Sequence, residues 1–290
     1  METADLLKKV RKIEIKTRGL SNQIFSGEYH LAFKGRGMAF SEVREYMPGD
    51  DVRTIDWNVT ARLNSPYVKV FEEERELNVV LLVDVSASGD FGTRKQFKKD
   101  LITELCAVIA FSASTNNDKI GVIFFTDTIE KFIPPKKGKS HILRIIRELI
   151  NFEPKGKGTN ITQALRYLTN AVKKKSIVFL ISDFMTSGFE DALKISNRKH
   201  DVVALQITDA AEKSIPDIGL IKIRDNESGK LIWVNTSSKA FRNNYVSQSS
   251  LFEQKLKEIF NRSGVDHAEI DTEKGYIKPL MNLFKRRETR

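Results

Sequence analysis

Asp84, Ser86 and Ser88 stand at alternate positions in DVSAS, directly after the apolar run NVVLLV. One carboxylate and two hydroxyls are hard oxygen donors, the kind that Mg2+ and similar cations (Mn2+, Ca2+) prefer. No Cys or His lies nearby to suggest zinc. The preceding run reads as a buried strand, so it would deliver the three donors at its carboxyl end. A metal site needs more oxygens at the same place, and the elements that could supply them must be found elsewhere in the chain.

From residue 78 onward strands and helices alternate. Strands are expected at 78–84, 119–126, 128–133, 176–183, 201–208 and 267–270. Helices are expected at 94–114, 140–150, 160–172, 189–197, 238–261 and 275–284, with a small hairpin at 218–224 and 230–234. This order implies an α/β fold: a doubly wound, mostly parallel sheet with helices on both faces. The turn before residue 128 is too short for a helical crossover, so 128–133 must pair antiparallel. Residues 19–77 differ. Gly35, Gly37, Pro48, Gly49 and Pro66 divide them into short segments, read as a small β-rich arm behind an amphipathic helix at 6–16. The expected division is 1–77 for the helix and arm and 78–290 for the α/β domain with a C-terminal extension.

Ligands of open parallel sheets bind at the carboxyl ends of the strands. Asp84, Ser86 and Ser88 leave the first strand there. The antiparallel strand runs down, the next helix climbs back, and the loop 151–159 returns to the same edge with Thr159. The strand 176–183 then rises and delivers Asp183. The topology therefore predicts convergence of Asp84, Ser86, Ser88, Thr159 and Asp183, residues far apart in sequence. Each has an ordinary structural reading as a turn or strand-end residue, and Asn160 with Gln163 fits a helix cap beside Thr159. Their coincidence at one edge favours a site. Lys155 and Lys157 would add positive potential there, whereas Lys136, Lys137, Lys139, Lys173, Lys174 and Lys175 should gather at the opposite edge as a solvated basic end.

These five residues resemble the metal-ion-dependent adhesion site of the von Willebrand factor type A domain. DVSAS matches its Asp-x-Ser-x-Ser element, Thr159 in GKGTN its loop threonine, and Asp183 in LISDF its later aspartate. The resemblance implies Mg2+ contacted by the hydroxyls, aspartates acting through water, and a carboxylate of a partner completing the shell. The segment GRGMAF, then REYMPGDDVRTIDWNVTAR, then VKVFEEERE is similar to the bacterial domain-of-unknown-function family number 58. The matching positions are Arg44, Tyr46, Pro48, Gly49, Asp50, Asp51, Arg53, Asp56, Trp57, Ala61 and Arg62. Members carry such an arm ahead of a von Willebrand A-like domain and are typically encoded beside MoxR-type AAA+ ATPases. A MoxR-type ATPase or its client is thus the expected partner. Physically, Pro48–Asp51 reads as a turn whose carboxylates accept backbone N–H groups, and Asp56-Trp57 as a half-buried aromatic beside a charged partner, Arg53 or Arg62. An ion-paired scaffold fixing the arm to the sheet is favoured over a second contact surface.

Composition narrows the alternatives. Lys and Arg number 48 against 38 Asp and Glu, a net charge of +10. Residues 1–77 are balanced, so the excess lies in 78–290. Short separate basic clusters without a zinc finger or RNA-recognition signature make nucleic acid an unexpected main ligand. No apolar run is long enough to span a bilayer, and the amino terminus lacks the apolar stretch of a signal peptide. Cys106, the single cysteine, sits in LITELCAVIAF and reads as a buried core thiol. A cytoplasmic location follows as the expectation. A Mg2+-dependent phosphoester hydrolase of the haloacid-dehalogenase type would need an acid two positions after the first aspartate, where Ser86 stands. None of His30, His141, His200 and His267 falls in a loop with the candidate ligands. The expected role is non-enzymatic binding through a metal, with hydrolysis and nucleic-acid binding as the alternatives.

Overall fold

The computed structural model describes residues 10–17, 33, 38–73, 76–86, 97–156, 158–224 and 231–288. Six strands form the main sheet: β3 (Asn78–Asp84), β4 (Lys119–Phe125), β5 (Ile129–Lys136), β6 (Ile177–Ser182), β7 (Asp201–Thr208) and β10 (Asp266–Asp271), in the order β10-β7-β6-β3-β4-β5. All neighbours are parallel except β4 and β5, which the three-residue turn 126–128 forces antiparallel. The fold is the doubly wound, mostly parallel sheet that the alternating elements predict.

The central strands are Val, Ile, Leu and Phe runs because both of their faces are covered. Val79, Leu81 and Val83 face one core, which also contains Leu105 and Val108 of α3 (Lys98–Thr115), Ile142 and Ile145 of α4 (Lys139–Asn151) and Leu280 and Phe284 of α9 (Ile277–Glu288). Val80 and Leu82 face the other, with Leu165 of α5 (Ile161–Ala171), Leu193 of α6 (Glu190–Lys199) and Phe260 of α8 (Lys239–Ser263). Cys106 lies fully buried in the first core, and burial drives its thiol pKa far up, so it is inert at neutral pH.

The sequence of strand positions reverses at β3. The chain steps from β3 to β4 on one side, then returns to place β6 on the other and continues outward to β7 and β10. A cleft opens where adjacent connections leave in opposite directions, and α/β sheets bind ligands there. The β3/β6 junction is that point in this chain.

The arm pairs β1 (Met38–Glu45) with β2 (Tyr67–Glu73) antiparallel. It also contains the helix α2 (Trp57–Leu63), which the sequence reading does not anticipate. With seven residues and no buried side chain it has no apolar stripe to read; its boundaries are set by caps. Asp56 accepts from Asn58 N at 3.0 Å and Val59 N at 3.3 Å, and Asn64 closes the helix in the left-handed conformation. Trp57 is 70% exposed, not half-buried, and Asp56 pairs with Lys69 at 3.3 Å rather than with Arg53 or Arg62. The expected turn carboxylates are present: Asp50 accepts from Met47 N at 2.9 Å and holds Arg44 at 2.7 Å. These motif ion pairs stay within the arm. The pairs that reach the α/β body come from its flanks: Glu14 to Lys139, Lys16 to Glu104, and Glu76 to Lys119 and Lys137.

Further elements among the described residues are the short helix α7 (Ala210–Lys213), the hairpin β8 (Leu220–Arg224) with β9 (Leu231–Asn235), and a single 3-10 turn at Val52–Thr54 in the arm. The amino-terminal helix, α1, is described over 10–17; the rest of the expected 6–16 segment lies outside the described residues. Among the described residues no helix is long and apolar enough to cross a membrane.

Candidate functional site

The site forms around the Asp84 carboxylate, which is 5% exposed at the end of β3. Ser86 folds back so that its backbone N donates to Asp84 Oδ1 at 3.0 Å. Thr159 brings its hydroxyl to the same carboxylate, 3.3 Å from Oδ2 and 3.5 Å from Oδ1. Asp183 follows β6 directly and is 8% exposed. Its Oδ1 accepts from Met185 N at 3.2 Å. Asp84, Ser86, Thr159 and Asp183 therefore meet at the β3/β6 switch point. Ser88 lies outside the described residues, as does Lys157.

Thr159 is placed by a latch that the sequence does not announce. Glu130, at the start of β5, accepts from Lys155 N at 3.1 Å, Gly156 N at 2.8 Å and the Thr126 hydroxyl at 2.9 Å. Asn160 N donates to Thr126 O at 2.9 Å, and the Asn160 side chain caps α5 by accepting from Gln163 N. Gly156 passes so close to the β4–β5 turn that an added Cβ would stand 1.9 Å from Asp127 Oδ1. The loop is thus tied on both sides of Thr159.

Two more residues escape the sequence reading. Ser182 donates its hydroxyl to Asp84 Oδ2 at 2.6 Å and accepts from Phe184 N at 3.0 Å. Its signal is register: Val83 pairs with Ile181, so the next position of β6 lies beside Asp84. Lys98 opens α3 and is 1% exposed, with Nζ 2.5 Å from Glu212 Oε1 and 3.5 Å from Asp183 Oδ2. With Lys99, Asp100 and Glu104 in the same first two turns, nothing in the sequence sets Lys98 apart as the buried one. Phe184, just past Asp183, takes the left-handed conformation (φ 58°) and is locked by packing against Phe189 and Phe260.

Electrostatics single out Asp84. Burial raises its pKa, repulsion from Asp183 raises it further, and hydrogen bonds from Ser182 and Ser86 act in the opposite sense; the net position is about 6. Two buried carboxylates that repel one another, surrounded by hydroxyls, are a donor set that fits a hard divalent cation. Among the described residues no three His, Cys, Asp or Glu side chains gather as a metal cluster, so any cation here would rely on the hydroxyls.

At the opposite edge, Lys173, Lys174 and Lys175 are exposed as expected. Lys137 and Lys139 are ion-paired with Glu76 and Glu14. The basic end is therefore partly neutralised.

The fold and site together define a doubly wound α/β protein with an oxygen-donor cluster at its switch point. Residues 42–254 match the family described as "Protein of unknown function DUF58", and the chain belongs to that family. It is 26% identical over 281 residues to uncharacterized proteins of Mycobacterium tuberculosis (Rv1480) and Mycobacterium bovis (Mb1516), covering 96% of this chain and 88% of each relative. Its fold is similar to that of an aerotolerance-related membrane protein from Bacteroides fragilis, with TM-score 0.50 and 16% identity over 73% of this chain and 98% of the other.

Proposed function

We propose that this protein is a non-enzymatic binding module that docks a partner through a metal-ion-dependent adhesion-type site. The observation that carries the reading is the meeting of Asp84, Thr159 and Asp183 from three separate segments at the β3/β6 junction. Asp84, Ser86, Ser88, Thr159 and Asp183 would hold Mg2+, or Mn2+ or Ca2+ in its place. When bound, such a cation supplies an open coordination position that takes an external carboxylate. The chain's own residues prepare that step. Ser182 and the Ser86 backbone N fix the Asp84 carboxylate, and the Glu130 latch holds the Thr159 loop at the rim. Lys155 sits on the same loop and adds positive potential for an acidic group.

The partner would offer an Asp or Glu to this edge. The family resemblance makes a MoxR-type AAA+ ATPase, or a client it remodels, the first candidate, with the encounter on the cytoplasmic side. The test is retention of the ATPase on immobilised protein with Mg2+ and with chelator, comparing wild type with Asp84→Ala and Thr159→Ala. Retention that needs both metal and Asp84 supports the reading. Retention unchanged by either substitution and by chelator overturns it.

A further inference from the structure

We infer that Lys98 is an internal competitor for the metal site: its ammonium neutralises Asp183 when no divalent cation is present and must yield that carboxylate when one binds. The inference rests on the metal reading above and goes beyond it, because Lys98 would set how tightly and when the site is filled.

A lysine that is 1% exposed needs anionic partners, since an unpaired buried ammonium is strongly disfavoured. Lys98 is shared unequally between two of them, 2.5 Å from Glu212 and 3.5 Å from Asp183. Glu212 does not depend on Lys98 for its position. Its other oxygen accepts from Asp209 N at 3.0 Å in the capping box of α7, and Asp209 is itself held by Thr272 at 2.7 Å. The ammonium can therefore withdraw from Asp183 and keep a fixed partner.

Charge counting points the same way. Among the described residues the cluster holds Asp84, Asp183 and Glu212 against Lys98, which leaves two negative charges when all are ionised. A divalent cation matches that deficit. Removing Lys98 deepens the deficit, and removing Glu212 takes away one negative charge together with the nearer of these two partners of the ammonium. The two substitutions must then change metal affinity in opposite directions, a signature that simple loss of structure does not produce.

The experiment is Mn2+ titration, by electron paramagnetic resonance and calorimetry, of the full chain as wild type, Asp84→Asn, Lys98→Met, Glu212→Gln and the Lys98→Met/Glu212→Gln double variant. Circular dichroism confirms folding of each. The double variant loses one charge of each sign and so keeps the wild-type net charge of the cluster if Lys98→Met alone does not fold. Lys98→Met is expected to tighten Mn2+ at least about tenfold, because a unit charge a few ångströms away is removed from a low-dielectric site. Glu212→Gln is expected to weaken it several-fold, and Asp84→Asn to abolish it. A folded Lys98→Met variant with wild-type or weaker affinity, or a folded double variant no tighter than Glu212→Gln, overturns the inference while leaving the metal reading intact. Mn2+ binding by Lys98→Met but not by wild type supports the competitor role and overturns the proposed resting function of the site. Absence of Mn2+ binding by every variant overturns both.

Discussion

The two edges of the sheet treat buried charge in opposite ways. At the lower edge, Asp201 receives Arg287 through Nη2, 2.6 and 2.5 Å from its two oxygens, while Asp266 lies 3.4 Å from Nη1. The Arg287 guanidinium also lies over the Phe33 ring at 4.4 Å. Opposite charges meet there with both Asp201 oxygens on one guanidinium nitrogen, and the arrangement closes α9 onto the strand ends. At the upper edge two acids face one another, and Lys98, the buried cation near them among the described residues, is shared with a third acid. The lower edge is arranged for stability. Among the described residues the upper edge holds an excess of negative charge that stability alone would remove, and such an excess suits a ligand site.

The sharpest test of that contrast is a pair of substitutions with opposite signs. Arg287→Met removes the buried cation that Asp201 pairs with and should cost about 3–5 kcal/mol, read from urea denaturation. Asp84→Asn should instead stabilise the metal-free protein at pH 8, by up to about 3 kcal/mol less whatever its hydrogen bonds contribute. The sign follows from linkage. Asp84 titrates near 6 when folded against 3.8 ordinarily, so the folded state binds more protons between these values. The group's contribution to stability is full below about pH 4 and is lost as pH rises through 6. The gain from Asp84→Asn should therefore be present at pH 7–8 and disappear toward pH 4. Burial also raises Asp118 to about 6, which adds a similar slope to both proteins and cancels in their difference. A destabilised Asp84→Asn at pH 8 would break the comparison.

A smaller effect tests the latch. Gly156→Ala forces the loop away from Asp127 and should weaken Mn2+ about tenfold, as loss of supporting contacts commonly does, with melting temperature changed by only a few degrees. Unchanged affinity would mean that the loop does not position Thr159. The smallest effect belongs to the arm. Trp57→Ala should change stability by less than about 0.5 kcal/mol, because the ring is exposed. A large loss would restore the half-buried reading.

The contrast between edges was only partly legible in the chain. Val79–Val83 and Ile177–Ile181 announce buried strands by composition, and the short turn before Ile129 dictates antiparallel pairing. From those facts alone the loop carrying Thr159 and the end of β6 had to reach the edge where Asp84 emerges, and they do. Ser182 and Lys98 were not legible. Ser182 matters only because strand register sets it beside Asp84, and Lys98 only because α3 starts within reach of Asp183 and Glu212. Trp57 was misread because α2 is fixed by capping hydrogen bonds and has no apolar periodicity.

The sequence by itself determined the order of strands and helices, the direction of each strand and hence the edge at which the oxygen donors gather, because hydrophobic runs and turn lengths are local properties of the chain. Tertiary structure alone decided the electrostatics. Which carboxylates repel, which lysine is buried with them, and which loop is latched in place depend on distances of a few ångströms between segments far apart in sequence, and no local pattern encodes those distances.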